Sequence, residues 1–152
     1  MTFDAIDRNL MMYLQADCKQ TNKALALRLN LSVTAVYERI KKLEKAGVIE
    51  GYSAQVNKEE VGLGFVVFCH IQLVKHEKDA ISYFEREIKK LSEVLECFHV
   101  SGEYDYLLKV VVKDMAHFRT FMVNKLTTLD CIGNTQSSFT INEVKNTTII
   151  PL

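Results

Sequence analysis

Cationic side chains are concentrated in one part of this sequence. Residues 18–58 carry eight lysines and arginines against three glutamates, although the whole chain is neutral, with 19 cations and 19 anions. From residue 61 onward, ten cations face eleven anions. Lys41, Lys42 and Lys45 are spaced so that at least two can reach one phosphate backbone, which is the chemistry of nucleic-acid binding.

The same segment carries side chains that can contact the edges of bases. If Val36, Ile40 and Leu43 face a core, a helix here presents hydroxyl, phenol, carboxylate and ammonium groups on its other side. The residues that we assign to DNA contact are Ser32, Thr34, Ala35, Tyr37, Glu38, Arg39, Lys41, Lys42 and Lys45. The alternative interpretation is a solvated basic face on a structural helix.

Three short helices are predicted for the first fifty residues. Asp4 caps the first, which runs over about residues 4–15, and Thr21 caps the second, which ends near residue 29. Ser32 opens a third helix that ends at Gly47, and Asn30 tolerates the positive φ of the intervening turn. Two helices joined by such a turn have the sequence form of a helix-turn-helix.

The remaining sequence predicts a βαββαβ unit, the ferredoxin-like arrangement. We predict strands at 65–74, 94–101, 106–113 and 137–144, and helices at 79–91 and 115–129. A short strand is also predicted at 48–56, and the apolar tail 147–152 can add an edge strand. The fold class is therefore α+β, with a helix-turn-helix (winged-helix-like) domain at 1–50, a strand or hinge linker at 51–64 and a ferredoxin-like domain at 65–152.

The predicted sheet is apolar on both faces. Val66 and Phe68 alternate with the apolar side chains of the other face in the first strand, and Leu107 and Val111 do so in the third. An antiparallel sheet with one face in water should alternate apolar and polar residues. We therefore expect a second copy to cover this face, in at least a dimer, which also suits a helix-turn-helix that reads two half-sites.

Several motifs in both units carry a family resemblance. They are residues 3–10, 31–32, 38–40, 43–44, 47–49 and 51–52 in the first unit, and 96–97, 100–102, 104–109 and 114–115 in the second. In combination they resemble the Lrp/AsnC (feast/famine) transcription regulators of bacteria and archaea, with a closer likeness to the leucine-responsive branch. Asn30 stands where the family usually has Gly, and Cys18-Lys19 stands where Gly-Arg is usual.

The resemblance implies a DNA-binding regulator that forms dimers, often rings of four dimers, and senses an amino acid between dimers. Leucine or methionine is the expected effector. By similarity, Thr135, Gln136 and Ser137 complete the pocket from a neighbouring subunit, and Gln136 stands where an Arg is common. The full set of candidate effector residues is Val100, Ser101, Gly102, Tyr104, Asp105, Leu107, Thr135, Gln136 and Ser137.

The loop at 101–105 is also physically suited to a small zwitterion. Gly102 allows a ligand to approach the backbone, Asp105 can pair with an α-ammonium group or organise the loop, and Val100 and Leu107 can supply an apolar wall. The alternative is a tight hairpin turn without a ligand.

An enzyme is the competing class, but the sequence offers it little. No phosphate-cradling glycine loop or nucleophile elbow occurs, and His70, Cys97 and His99 are more typical of a core than of a zinc site. We therefore expect no catalysis, metal or cofactor. The alternative is a small-molecule-binding module or enzyme whose helical domain makes only protein contacts. The acidic start and the lack of a long apolar run predict a cytoplasmic protein without a membrane segment.

Overall fold

A computed structural model describes residues 2–152, which divide into two units. The first unit ends at Gln55 and also includes Lys145–Leu152, and the second unit spans Val56–Val144. No helix among the described residues has the length and apolar character that crossing a bilayer requires.

The first unit contains three helices, each capped by the side chain that the sequence indicates. They are α1 (Ala5–Ala16), α2 (Asn22–Leu29) and α3 (Val33–Lys45). Asp4, Thr21 and Ser32 each accept a hydrogen bond from the backbone N–H three residues later, which satisfies a donor that the first helical turn leaves unpaired. The three-helix prediction is therefore confirmed.

The turn between α2 and α3 depends on Asn30. This residue adopts the left-handed conformation, with φ 53° and ψ 48°, and its N–H donates to the carbonyl oxygen of Ala26. The positive φ predicted for Asn30 is confirmed. Leu10, Leu25, Val36 and Leu43 then form a fully buried core, and each contributes about 1.5–3 kcal/mol through its burial. This packing turns the opposite face of α3 outward.

The second unit is a four-stranded antiparallel sheet with two helices, in the predicted βαββαβ order. Its elements are β1 (Phe65–Leu73), α4 (Lys78–Ile88), β2 (Val94–His99), β3 (Tyr106–Val112), α5 (Met115–Phe121) and β4 (Ile132–Phe139). The spatial order is β2-β3-β1-β4, so that β1 and β3 are central, and α5 continues into a π-helical turn at Met122–Leu126. The ferredoxin-like architecture is confirmed.

The two faces of this sheet differ in their covering. The core face carries Val67, Cys69 and Ile71 from β1 and alternate residues of β3, which pack with the helices and are fully buried. The other face, here called the open face, carries Phe68 and Leu107, which are partly buried. Val66 and Val111 also lie outside the core cluster, but they are buried within this single chain, with only 5% and 8% of their surface exposed.

Three predicted strands differ from the structure. The fourth strand is Ile132–Phe139 and not 137–144, because polar residues such as Asn134 and Gln136 pair with β1 without apolar alternation, as an edge strand allows. Residues 48–56 form no strand, since no segment within residues 2–152 forms a β-ladder with them. The tail 147–152 also forms no strand; the Gln15 side chain instead pairs with the N–H and carbonyl of Ile150, within the first unit.

Candidate functional site

The outward face of α3 presents most of the residues assigned to DNA contact. Thr34, Tyr37 and Glu38 lie near the start of the helix and are exposed. Lys42 and Lys45 are exposed on later turns, with no ion-pair partner among residues 2–152. A shallow groove in this face is lined by Glu38, Lys41, Lys42, Lys45 and Ala46. The geometry suits base contacts from the first turns and phosphate contacts from the later lysines.

Two of the assigned residues help to begin the helix. The hydroxyl oxygen of Ser32 accepts a hydrogen bond from the N–H of Ala35 at 3.1 Å, so this oxygen is already used as the cap of α3. The hydroxyl proton of Ser32 is still available to an acceptor. Ala35 is partly buried and can offer only apolar contact.

Lys41 is paired within the chain. Its Nζ donates to Oε2 of Glu44 at 2.9 Å, and the hydroxyl of Tyr52 donates to Oε1 of the same carboxylate at 3.0 Å. The hydrogen bond from Lys41 lowers the pKa of Glu44, and the same bond raises the pKa of Lys41. A phosphate must therefore compete with Glu44 for this ammonium group.

The Arg39 side chain is partly buried, and its charge is paired with carboxylates of α1. Its Nη1 donates to Oδ2 of Asp4 at 2.9 Å and to Oδ1 of Asp7 at 2.5 Å, at the start of α1. Arg39 was predicted to contact DNA, whereas in the structure its Nη1 is directed toward two carboxylates at the start of α1.

In the second unit, Asp105 is engaged through both carboxylate oxygens. Oδ2 accepts the N–H of Leu73 at 2.8 Å, and Oδ1 lies 2.8 Å from Nε2 of His76. The N–H of Asp105 also donates to the carbonyl oxygen of Ile71. Of the two roles considered for Asp105, these contacts correspond to organisation of the loop.

The loop between β2 and β3 is a hairpin turn that contains Gly102. The N–H of Val100 donates to the carbonyl oxygen of Asp105 at 2.9 Å and closes the turn, with Ser101 inside it. Gly102 has φ 130°, which side chains rarely adopt, and a Cβ placed there would meet no atom within 4 Å. The backbone conformation, and not a lack of space, therefore requires glycine here.

Strand register brings two distant effector candidates onto one row of the open face. Leu107 of β3 pairs with His70 of β1, which pairs with Gln136 of β4, and the Tyr104 hydroxyl donates to Oε1 of Gln136 at 2.6 Å. The ring of Tyr104 lies 5.2 Å from that of His70. Phe98 of β2 extends the same row beside Leu107.

Thr135 and Ser137 occupy the other face of β4. They pair with Ile71 and Cys69, whose side chains belong to the core, and the Ser137 hydroxyl lies 3.8 Å from the Cys69 sulfur. Because side chains alternate along a strand, these two residues point away from the side that Gln136 occupies. Thr135, Gln136 and Ser137 all lie within β4, whereas the predicted fourth strand began only at residue 137.

His70, Cys97 and His99, the candidate zinc ligands, do not share one face of the sheet. His99 stacks on the core residue Tyr106 with ring centroids 4.6 Å apart, and Cys97 pairs with Leu108 on the same face. His70 lies on the open face. Within residues 2–152, no cluster of three or more His, Cys, Asp or Glu is placed to hold a metal ion.

Several residues that support these sites were not predicted from the sequence. His76 contacts Asp105, Glu44 accepts from both Lys41 and Tyr52, and Asp7 accepts from Arg39. Asp7 had one available signal, since it is a charged residue on the otherwise apolar stripe of α1. Glu44 also had a signal, since it follows Lys41 by three residues on one helix, whereas the spacing of His76 and Tyr52 gives no sign of their partners.

Both units match models of known protein families. The family model for the Lrp/AsnC ligand binding domain matches residues 66–150, and the model for a winged helix-turn-helix DNA-binding domain matches residues 3–50. Together they cover nearly the whole chain.

Individual relatives agree with these models. The leucine-responsive regulatory protein of Escherichia coli K12 is 37% identical over 142 residues, which are 93% of this chain and 87% of that protein. A transcriptional regulator of Neisseria meningitidis, solved in complex with L-methionine, is 36% identical, with a TM-score of 0.94 over 99% of this chain and 97% of that one. An AsnC family regulator of Agrobacterium tumefaciens is 32% identical, with a TM-score of 0.94 over 98% and 97%. The chain belongs to the Lrp/AsnC family of DNA-binding transcription regulators, which carry a ligand-binding domain.

Proposed function

We propose that this regulator reads double-stranded DNA with the outward face of α3 and senses methionine or leucine in its second unit. Residues 1–50 act as the DNA-binding domain, 51–64 as the linker and 65–152 as the effector and assembly domain, although the tail at 145–152 groups with the first unit in the structure. The observation that carries the DNA part is the exposed basic face of α3, where Lys42 and Lys45 have no ion-pair partner among the described residues.

The two ends of α3 have different tasks in this proposal. Thr34, Tyr37 and Glu38 approach base edges near the start of the helix, whereas the lysines bind phosphates and fix the register. Loss of a lysine should therefore weaken binding to every sequence. Loss of Tyr37 should instead reduce the preference for one sequence over another.

The test begins with a duplex that the wild-type protein enriches from a random-sequence pool, together with a scrambled version of it. Affinity for both is measured across a range of salt concentrations. Replacing Lys41 and Lys42 with glutamine should weaken both complexes and flatten the salt slope by about one to two units. Tyr37→Ala should mainly reduce the ratio of the affinity for the enriched duplex to that for the scrambled duplex. An unchanged affinity and slope in the double variant would contradict the assignment to α3.

The effector part of the proposal rests on the surroundings of the loop at 101–105. Gly102 leaves the backbone approachable, Val100 and Leu107 offer apolar surface, and Tyr104 and Gln136 offer polar groups. The similar Neisseria meningitidis regulator was solved with L-methionine, which favours methionine among the candidate ligands. The amino group of the ligand must then compete with His76 and Leu73 for Asp105, or bind elsewhere.

Calorimetric titration of methionine, leucine and asparagine into the wild-type protein tests this part. We expect methionine or leucine to bind, asparagine to bind more weakly, and the bound ligand to change affinity for the enriched duplex. Because a ligand shifts an equilibrium only by its differential affinity for the two states, binding and DNA response should change together. If none of the three binds at millimolar concentration, the effector assignment fails.

Assembly is the third part of the proposal. The open face still exposes Phe98, at 48%, beside the partly buried Leu107, and we propose that a second copy covers this row. The dimer also places two α3 helices on one duplex, as a helix-turn-helix protein requires for two half-sites. Light scattering of the wild-type protein distinguishes a monomer, a dimer and a ring of four dimers.

A further inference from the structure

Arg39 is the cation of α3 that binds carboxylates of another helix. The Arg39 side chain is 28% exposed and binds two carboxylates of α1, and the carboxylate of Asp7 is only 4% exposed. By contrast, Lys42 on the same helix is exposed and has no ion-pair partner in residues 2–152. Two anions surround the one charge of Arg39, so this locality does not attract a phosphate in the way that Lys42 does.

The acceptors of Arg39 are themselves fixed. Oδ1 of Asp4 accepts the N–H of Asp7 at 2.7 Å as the cap of α1, while Oδ2 of Asp4 accepts from Arg39. The hydrogen bond to Asp7 raises the pKa of Arg39, and the bond from the Asp7 N–H lowers the pKa of Asp4. Arg39 is thus joined to the first turn of α1 and not to a mobile side chain.

This link supplies something that the apolar contacts of α3 do not. Val36 and Leu43 hold the helix by burial, which is non-directional and tolerates small rotations about the helix axis. A guanidinium that donates to two carboxylates has a restricted geometry. The position of Arg39 therefore sets how α3 is turned, and with it the direction of Thr34, Tyr37 and Glu38.

We propose that Arg39 is a positioning residue for DNA recognition, which orients α3 through Asp4 and Asp7 and sets base discrimination without binding a phosphate. The inference rests on the proposed role of α3 in DNA binding. It departs from the sequence analysis, which counted Arg39 among the direct contacts.

The test compares Arg39→Gln with Lys42→Gln in the full-length protein, on the enriched and scrambled duplexes across a range of salt concentrations. Both variants remove one positive charge from the same helix. Lys42→Gln should flatten the salt slope by about 0.9 and weaken both complexes alike. Arg39→Gln should keep the wild-type salt slope. It should reduce the ratio of the affinities for the enriched and scrambled duplexes by about tenfold, which is the scale of one mismatched base pair.

Asp7→Asn is an independent test, because phosphate binding by Arg39 and positioning by Arg39 predict different results for it. It removes a negative charge near α3, so a direct role for a freed Arg39 in phosphate binding predicts tighter binding to both duplexes. Positioning predicts a reduced ratio between duplexes, as in Arg39→Gln. Because asparagine is nearly isosteric with aspartate, this variant also carries the test if Arg39→Gln does not fold. Thermal unfolding of each variant identifies the folded fraction.

Three results would overturn the inference. They are a flatter salt slope in Arg39→Gln, tighter binding by Asp7→Asn to both duplexes, and a lower unfolding temperature in Arg39→Gln with unchanged discrimination. The last result would mean that the ion pairs serve only stability. Failure of the wild type to bind any duplex is a separate outcome, since it rejects the role of α3 itself and the inference with it.

Discussion

The charged side chains of α3 and of the loop at 101–105 are used in opposite ways. On α3, Lys42 and Lys45 extend into solvent from a helix whose other face is held by a core. In the second unit, Asp105 directs its carboxylate to the N–H of Leu73 and to His76. Lys42 and Lys45 are therefore exposed to solvent and without an ion-pair partner within the described residues, whereas the carboxylate of Asp105 is hydrogen-bonded within its own chain.

This difference indicates how each region can respond to a partner. A helix surface with free cations binds phosphates without rearrangement, and its affinity follows salt concentration. A loop whose carboxylate holds the end of β1 can accept a ligand at that carboxylate only by exchanging one hydrogen bond for another. We therefore expect DNA binding to depend on exposed charge, and effector binding to depend on the conformation of the loop.

The largest expected effect comes from the open face, whose proposed partner is another copy. Phe98→Asp should convert the assembly into monomers, because a buried phenyl group contributes about 2 kcal/mol or more through its area and the new carboxylate must also be desolvated. Phe98 is 48% exposed in the single chain, so the monomer should remain folded. Light scattering measures the mass, with Leu27→Asp, at an 86% exposed position, as the control that keeps the wild-type mass. A Phe98→Asp protein with the wild-type mass would show that the interface lies elsewhere.

The next effect concerns Asp105 and sharpens the contrast with the lysines. Asp105→Ala leaves the N–H of Leu73 without its acceptor and should lower the free energy of unfolding by about 3 kcal/mol, as measured in urea. Asp105→Asn keeps an acceptor for that N–H and should lose much less. If the two variants are equally stable, Asp105 does not hold the loop, and its carboxylate is available to an α-ammonium group instead.

Gly102 should give a smaller effect on stability and a selective effect on function. Gly102→Val forces a β-branched residue to φ 130°, at a cost of about 2 kcal/mol, or shifts the turn. Methionine binding in calorimetry should be lost while α3 still binds duplex DNA. Gly51→Ala is the matched control, because its Cβ also meets no atom within 4 Å and its φ is not in the left-handed region. Normal methionine binding by Gly102→Val would contradict the proposed site.

The smallest expected effect tests whether Lys41 binds phosphate as Lys42 and Lys45 are proposed to do, once its partner Glu44 is neutralised. Glu44→Gln and Glu38→Gln each remove one anion from α3, but only the former releases Lys41. Glu38 has no ion-pair partner in the part of the chain that the structure describes. On the scrambled duplex, Glu44→Gln should steepen the salt slope by up to about 0.9 relative to Glu38→Gln. Equal slopes would mean that Lys41 reaches phosphate despite its ion pair.

The same pair of variants has a pH dependence whose sign follows from Glu44. Its folded-state pKa is lowered from 4.5 by Lys41, so the ion pair contributes above that value and is lost as the pH falls through the lowered pKa. The difference in salt slope between Glu44→Gln and Glu38→Gln should therefore persist at neutral pH and disappear in acid. A difference that is independent of pH would exclude the ionised Glu44 as its source.

Helical features were predictable because they depend on neighbours in the sequence. The caps at Asp4, Thr21 and Ser32, the left-handed Asn30 and the inward stripe of α3 all follow from spacings of four residues or fewer. The order of strands and helices was also predictable from periodicity. The fourth strand was misplaced because the polar residues of an edge strand carry no apolar alternation.

The sequence by itself determined the three helices and which lysines share the surface of α3, since a helix repeats over a few residues and requires no distant partner. Only the tertiary structure decided the contacts made across longer separations. Arg39 meets Asp7 across 32 residues, Asp105 meets the N–H of Leu73 across 32, and Tyr104 meets Gln136 across 32. Packing of α1 on α3 and strand register place these groups together, and neither leaves a short-range pattern in the chain.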